Sequence, residues 1–218
     1  MSEETILYSY YRSSASYRAR IGLNLKDVGY TIRPIHLLND GGEQHKEDYQ
    51  NLNPMRQVPC LIHGGNTIAQ SMAILMYADD VFAGPRLFPE DPALKAKAVQ
   101  LCEIINSGIQ PLQNLNVLQE LKSNYGFDAD KSKAWIGHWV NRGFKALENL
   151  LDQKTSKFAI GDEPSIVDAF IVPQVFSGNR FGVRPEGYPN LNRIYETCME
   201  LDAFQKAAPE NQPDAPEE

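Results

Sequence analysis

Ile6-Leu7-Tyr8-Ser9-Tyr10, then Ser13-Ser14-Ala15-Ser16-Tyr17-Arg18-Ala19-Arg20-Ile21, then Thr31-Ile32-Arg33-Pro34-Ile35-His36 read in turn as strand, helix and strand. The outer two runs are rich in the residues that suit a pleated surface. Between them Tyr17, Ile21, Leu25 and Val28 recur every three or four residues and draw one apolar helix face. Gly29 is placed to stop that helix, and Pro34 points to an edge strand. Together they predict a βαβ unit, its strands parallel and its crossover right-handed.

The pattern continues outward. Asn39-Asp40-Gly41-Gly42 is a loop by its turn residues, and a short polar helix is expected over Gln44–Gln50. Val58-Pro59-Cys60-Leu61-Ile62 reads as a third strand that begins beside a proline. Gly64-Gly65-Asn66 turns it into Thr67-Ile68-Ala69. Ser71 is a candidate cap for a helix whose core face carries Ile74, Tyr77, Ala78 and Val81. The order is βαβ-α-ββα, an α/β domain with a mixed sheet over residues 1–84. Glycine and proline between Phe82 and Pro89 mark a linker, taken as residues 85–91.

Beyond it the strand signals stop. Ile136, Val140, Phe144, Leu147 and Leu151 keep a helical period, as do Leu191, Ile194, Tyr195, Cys198 and Leu201. Pro189 fits a first helical turn, and Ser165-Ile166-Val167-Asp168 resembles a capping box. Residues 92–208 are therefore expected to be all-helical. The last ten, 209–218, alternate acidic residues with Pro209, Pro213 and Pro216, and are expected to be a disordered tail.

Bulk properties narrow the function. A chain of 218 residues suits one large domain or two smaller ones. The net charge of −7 argues against nucleic-acid binding. No apolar run reaches the roughly 20 residues of a membrane span, and Met1-Ser2-Glu3-Glu4 is no basic leader. A cytoplasmic location is expected. Cys60, Cys102 and Cys198 are odd in number and far apart, as free thiols in a reducing compartment would be. His36, His45, His63 and His138 lack ligand spacing, so no metal is expected. Arg12, Arg18 and Arg20 cluster in this acidic chain, either to meet a small anionic substrate or as a solvated basic face.

The chemistry concentrates where the first strand gives way to the first helix. Ser13, Ser14 and Ser16 put three hydroxyls at a helix N-terminus, where free amide groups and the positive dipole end favour an anion. A hydroxyl there can hold a thiolate ionised by donating to it. Equally, serine is a preferred helix cap. Residue types alone leave both readings open.

Ser-Ser-X-Ser-X-Arg-X-Arg-Ile over Ser13–Ile21 resembles the signature of zeta-class glutathione transferases, the maleylacetoacetate isomerases. Asp40-Gly41-Gly42, the run Leu52–Pro59, Gln70-Ser71, the run Gly108–Leu115, Val172-Pro173-Gln174-Val175 and Gln212-Pro213-Asp214 resemble the same family. The likeness thus runs over almost the whole chain. It implies a thioredoxin-like N-terminal domain followed by an all-α domain that contributes the substrate site. It also implies glutathione as cofactor, an anionic small-molecule substrate and a homodimer.

Site roles follow from the resemblance residue by residue. Ser13 stabilises the glutathione thiolate, with Ser14 beside it and Arg18 part of the positive surroundings. Gln44 reaches the glycyl end of the tripeptide. Val58, before an expected cis-Pro59, pairs its backbone with the cysteinyl backbone, like one more strand at a sheet edge. Gln70 and Ser71 hold the γ-glutamyl carboxylate, and Gln110 and Asn114, four apart on one helix face, close over the site. Arg12 and Arg180 are the candidates for substrate carboxylate. The implied reaction converts maleylacetoacetate to fumarylacetoacetate in tyrosine and phenylalanine catabolism. Alternatives are conjugation or dehalogenation of small α-halo acids, maleylpyruvate isomerisation, and a non-catalytic dimerisation module. Where the family usually carries cysteine after the serine pair, this chain has Ala15. Thiol exchange on that loop is thereby excluded.

Overall fold

Leu7 and Leu61 pair across two antiparallel strands, and both are fully buried. One residue along, Tyr8 pairs with Cys60, whose side chain joins a separate buried group. This alternation, fixed by the two-residue period of a strand, gives the sheet two covered faces. In the computed structural model, which describes residues 4–151 and 156–216, four strands form this sheet. They are β1 (Ile6–Ser9), β2 (Thr31–Pro34), β3 (Cys60–His63) and β4 (Asn66–Ala69), in the order β2-β1-β3-β4. β1 and β2 are parallel and the other pairings antiparallel; β2 ends the order, so Pro34 does lie on an edge strand. Gly64 and Gly65, at φ 55° and 74°, make the β3–β4 turn, which needs positive φ at both positions.

On one face Leu7 and Leu61 pack with Ala19 and Leu23 of α1 (Ser14–Leu25) and with Ile74 and Ala78 of α3 (Ser71–Val81). The other face gathers Tyr10, Val58 and Cys60 with Tyr49 of α2 (Glu47–Leu52). α1 is more deeply placed than its single apolar stripe suggested: every residue from Ser16 to Leu23 is buried. Gly22 permits the closeness, because a Cβ there would stand 1.9 Å from Leu75 Cδ2 of α3. The helix also ends earlier than Gly29. Asp27 takes the left-handed conformation at φ 53°, its N–H donates to Asn24 O, and Val28 N donates to Leu23 O. That is a Schellman stop with aspartate in the usual glycine position.

Two compact units emerge, with a boundary that differs from the expected one. One runs to Leu87 and takes back the chain from Glu200 onward; the other is Phe88–Met199. α9 (Asp202–Ala207), expected in the helical domain, packs on α1 in the first unit. The tail reading is corrected too. Residues 209–211 form a 3-10 turn, and Gln212 Nε2 donates to Lys206 O and Ala208 O, each at 2.8 Å. Composition counts apolar area but misses such local hydrogen bonding. Met1–Glu3, Glu217 and Glu218 lie outside the described residues.

The second unit holds α4 (Pro92–Asn106), α5 (Leu115–Tyr125), α6 (Ala129–Leu150), α7 (Ile166–Arg180) and α8 (Pro189–Met199). α7 is buried along most of its length, with α4 and α8 packed against it. Its N-terminus carries the capping box read from Ser165 and Asp168. Ile136, Val140, Phe144 and Leu147 form the buried stripe of α6 as their spacing required.

The first unit also encloses charge. Asp79 in α3 accepts from Leu87 N at 2.6 Å and stands 3.5 Å from Lys26 Nζ and 3.1 Å from Arg86 Nη2. The Lys26 side chain is 1% exposed, so removing its partner strands a buried ammonium. Asp79→Ala is expected to cost about 3–5 kcal/mol in urea unfolding, as for other broken buried pairs. Tyr30, whose hydroxyl donates to Asn24 Oδ1 at 3.0 Å, is pushed by burial from 10.0 up to about 12. The fold therefore favours its protonated phenol. That stabilisation is complete below pH 10 and is lost as pH rises through about 12. Unfolding midpoints measured across alkaline pH should fall in that window, and by less in Tyr30→Phe.

Candidate functional site

Strand directions bring part of the predicted set together. β1 runs into the turn ahead of α1, and its C-terminal end pairs with the start of β3 at Tyr8↔Cys60. Cys60 in turn pairs with Ala69, the last residue of β4, just ahead of Gln70 and Ser71. Three segments thus converge at one end of the sheet: the Ser13 turn, the Val58–Pro59 step and the N-terminus of α3. The Val58–Pro59 bond is cis, as expected. β3 is an inner strand, so Val58 lies just before the strand and not along an outer edge.

Ser13 is the N-cap of α1, and its Oγ accepts from Ser16 N at 3.2 Å. The cap reading is therefore correct as far as the acceptor goes. The hydroxyl proton is not consumed by that bond, because a hydroxyl accepts and donates at once. Ser13 and Ser14 are half-buried at the helix mouth, whereas Ser16 is fully buried. Gln70, exposed and at φ 73° and ψ 122°, precedes α3 in a conformation that side-chain-bearing residues rarely adopt. Ser71 is buried, and its Oγ accepts from Arg18 Nη1 at 3.4 Å. That bond ties the start of α3 to α1.

The arginine cluster divides. Arg18 and Arg20 are both 0% exposed, which corrects the reading of a solvated basic face. Arg20 is structural: Nε donates to Ala207 O, Nη1 to Ser9 Oγ and Tyr10 O, and Nη2 to Tyr11 O. Burial lowers it to about 10, still protonated at neutral pH. Arg12 is half-buried with its guanidinium over the Tyr11 ring, 5.8 Å from the centroid.

Gln44 follows β2 in a tight loop. It is 4% exposed, its Nε2 donates to Leu37 O at 3.3 Å, and its Oε1 is buried without a hydrogen-bond partner among the described residues. A buried acceptor of that kind suits an N–H donor better than a carboxylate. The loop is anchored by Glu43, which accepts from His36 N at 2.7 Å; this bond holds its carboxyl below the usual range.

The remaining candidates belong to the helical unit. Gln110 opens a 3-10 turn, and Asn114 is the extended N-cap of α5, so the two do not share a helix face. The spacing of four misled because a 3-10 turn separates them. Arg180 ends α7, exposed, with its guanidinium 5.5 Å from the Phe181 ring centroid. Sequence reasoning passed over Tyr11 and Asp214 as site residues. Tyr11 N donates to Asp214 Oδ2 at 2.8 Å, although Gln212-Pro213-Asp214 already stood out as a motif.

No protein thiol is placed to act as a nucleophile. Cys60 is buried beside cis-Pro59, and burial pushes it up to about 11. Cys198 is raised by burial and then by Asp168, whose Oδ1 accepts from its thiol at 3.8 Å. Cys102 is buried as well. Among the described residues, no group of His, Cys, Asp and Glu is gathered to hold a metal, and no helix is long and apolar enough to cross a membrane.

The sheet with two helix N-termini at one end, and the separate helical unit, define the glutathione S-transferase architecture. The N-terminal domain model of that family matches residues 3–80, and its C-terminal domain model matches residues 138–202. Maleylacetoacetate isomerase of Mus musculus is 44% identical over 213 residues, covering 98% of this chain and 96% of the relative. Holo maleyl pyruvate isomerase, a bacterial zeta-class enzyme, superposes at TM-score 0.93 with 38% identity, covering 97% of this chain and 100% of that one. Maleylacetoacetate isomerase of Anaeromyxobacter dehalogenans 2CP-1, with dicarboxyethyl glutathione and citrate bound in its active site, superposes at TM-score 0.86. It is 38% identical and covers 99% of this chain and 96% of that one. The chain belongs to the glutathione S-transferase family, in the zeta class that includes the maleylacetoacetate isomerases.

All three cysteines are buried, so the native protein at neutral pH should not react with a thiol-alkylating reagent. After unfolding, mass spectrometry should count three modified thiols. Rapid labelling of the folded protein would contradict the burial described here.

Proposed function

We propose that this protein is a glutathione-dependent cis–trans isomerase that converts maleylacetoacetate to fumarylacetoacetate, a step in tyrosine and phenylalanine catabolism. The observation that carries the reading is the convergence of Ser13, the Val58–Pro59 step and Gln70-Ser71 at one end of the sheet. Two long helices, α1 and α3, point their N-termini to that end, where anionic groups are favoured. Glutathione, when bound, supplies the nucleophile: a thiolate that adds to the conjugated double bond and leaves again after rotation about it.

The chain's own residues do the rest. The Ser13 hydroxyl donates to the thiolate and, with the α1 N-terminus, keeps it ionised at neutral pH. Arg18 adds buried positive charge one helical turn further on. Gln70 and Ser71 receive the γ-glutamyl carboxylate at the N-terminus of α3, and Val58 offers its backbone to the cysteinyl unit. Gln44 fits the glycyl end through its buried Oε1, an acceptor for an amide N–H. Ser14 stands beside the thiolate, Gln110 and Asn114 contribute to glutathione binding, and Arg12 and Arg180 meet substrate carboxylates. Ala15 removes any thiol from the serine loop without touching this chemistry, since the nucleophile is not the protein's own.

Maleylpyruvate is a second reading, favoured by the TM-score of 0.93 to a maleyl pyruvate isomerase. The two substrates share a cis double bond conjugated to carbonyl and carboxylate, so the same residues serve both. A cytoplasmic homodimer belongs to the proposal as well. Exposed Met55, Met76 and Val81 offer apolar surface for a second copy to cover.

The test is isomerisation of both substrates by purified protein, with and without glutathione. Turnover that requires glutathione is expected, and its absence would overturn the reading. Ser13→Ala should lower kcat by about 10²–10³-fold, as for loss of one donor to a developing anion, and leave the KM for glutathione little changed. It should also cost about 1 kcal/mol of stability through the lost helix cap. Equal losses in turnover and glutathione binding would show a serine that is merely structural.

A further inference from the structure

The turn that carries Ser13 is held by the far end of the chain. Ser13 N donates to Tyr10 O at 3.0 Å, so residues 10–13 form a β-turn with Tyr11 and Arg12 at its centre. Tyr11 is clamped on both sides. Its carbonyl accepts from Arg20 Nη2 at 2.9 Å, and its N–H donates to Asp214 Oδ2 at 2.8 Å. Asp214 is 203 positions later in sequence, yet its point of contact lies only two positions before Ser13.

The segment around Asp214 is built to present it. Gln212 is 7% exposed, with its side chain bonded to two carbonyls at the C-terminal end of α9, those of Lys206 and Ala208. Ala215 N donates to Gln212 O at 3.0 Å, closing a turn with Pro213 and Asp214 inside. Asp214 Oδ1 is buried without a hydrogen-bond partner among the described residues, and the carboxylate lies within electrostatic reach of Arg20. A carboxylate this near a thiolate site works against the thiolate unless it is neutralised. Buried Arg20, within electrostatic reach, offsets part of that effect, and the directional bond to Tyr11 N remains.

We propose that Asp214 is a positioning residue. Through the Tyr11 N–H, the C-terminal segment locks the Tyr10–Ser13 turn so that the Ser13 hydroxyl is held where a thiolate is stabilised. The inference rests on the glutathione reading above. It makes the C-terminal segment part of the active-site scaffold, with Asp214 acting through the Tyr11 N–H.

The full-length protein and its Asp214→Ala and Asp214→Asn variants would be compared in three ways. These are the ionisation of bound glutathione followed by ultraviolet absorbance against pH, the pH dependence of kcat, and exchange of the Tyr11 amide by NMR. In Asp214→Ala the ionisation midpoint and the acid limb of kcat should move up by about one pH unit, a tenfold loss of thiolate at fixed pH. The Tyr11 amide should exchange at least about tenfold faster, as expected for loss of a bond to a charged acceptor. Asp214→Asn, which keeps a carbonyl acceptor in place, should recover most of both effects. If Asp214→Ala folds poorly, amide exchange in the folded Asp214→Asn protein still decides: exchange elsewhere unchanged and Tyr11 still protected supports the lock. An unmoved midpoint and unmoved Tyr11 exchange in Asp214→Ala, with wild-type thiolate intact, would overturn this inference alone. Wild-type protein that forms no glutathione thiolate would overturn the glutathione reading, and this inference with it.

Discussion

A guanidinium enclosed inside the first unit organises much of what surrounds it. Arg20 is fully buried in a helix that packs on both sides, and burying a charge is costly unless it is compensated. The compensation comes from groups that have no other reason to be adjacent: Ser9 at the end of β1, the Tyr10 and Tyr11 carbonyls of the following turn, and Ala207 at the end of α9. Satisfying one side chain therefore fixes strand end, turn and C-terminal helix together. It is also why the chain from Glu200 onward belongs with the α/β unit.

That constraint acts where the chemistry is proposed. Ser13 sits at the close of the Arg20-bound turn, and Arg18, two residues before Arg20 on the same helix, reaches Ser71 at the start of α3. The alternation of α1 residues sends one arginine toward the turn and α9 and the other toward α3. Both ends of the proposed glutathione site are thus referred to one helix. A hydroxyl that must be held within a fraction of an ångström of a thiolate benefits from rigid support of this kind.

The protein contributes geometry and charge to such a site and no nucleophile of its own. Its thiols are buried, and burial raises Cys60 and Cys198 away from ionisation. Ala15 at the helix mouth continues the same pattern. With no competing thiol on the serine loop, the proposed chemistry depends on how well the turn, Gln44 and the start of α3 hold a bound tripeptide.

Much of this was legible from residue order. The β-prone run Ile6–Tyr10, the turn glycines Gly64 and Gly65, the proline edge at Pro34 and the capping box at Ser165 are local signals, and local signals survive in sequence because neighbouring residues enforce them. The serine cluster was legible as well, since Ser13 caps its helix, whereas Ser71, read as a cap, is the first residue of α3, and Gln70 in the N-cap position makes no side-chain cap bond. What sequence could not settle depended on residues far apart. Charge alone left Arg18 and Arg20 open between an anion site and a solvated face, and their burial followed only from the packing of α1 against α3 and α9. Gln110 and Asn114 looked like one helix face until a 3-10 turn parted them. The acidic, proline-rich end looked disordered because composition scores what a segment can bury alone. Only the tertiary structure supplied the Tyr11 N–H that Asp214 meets, and a hydrogen bond across 203 positions leaves no periodicity for a sequence to display.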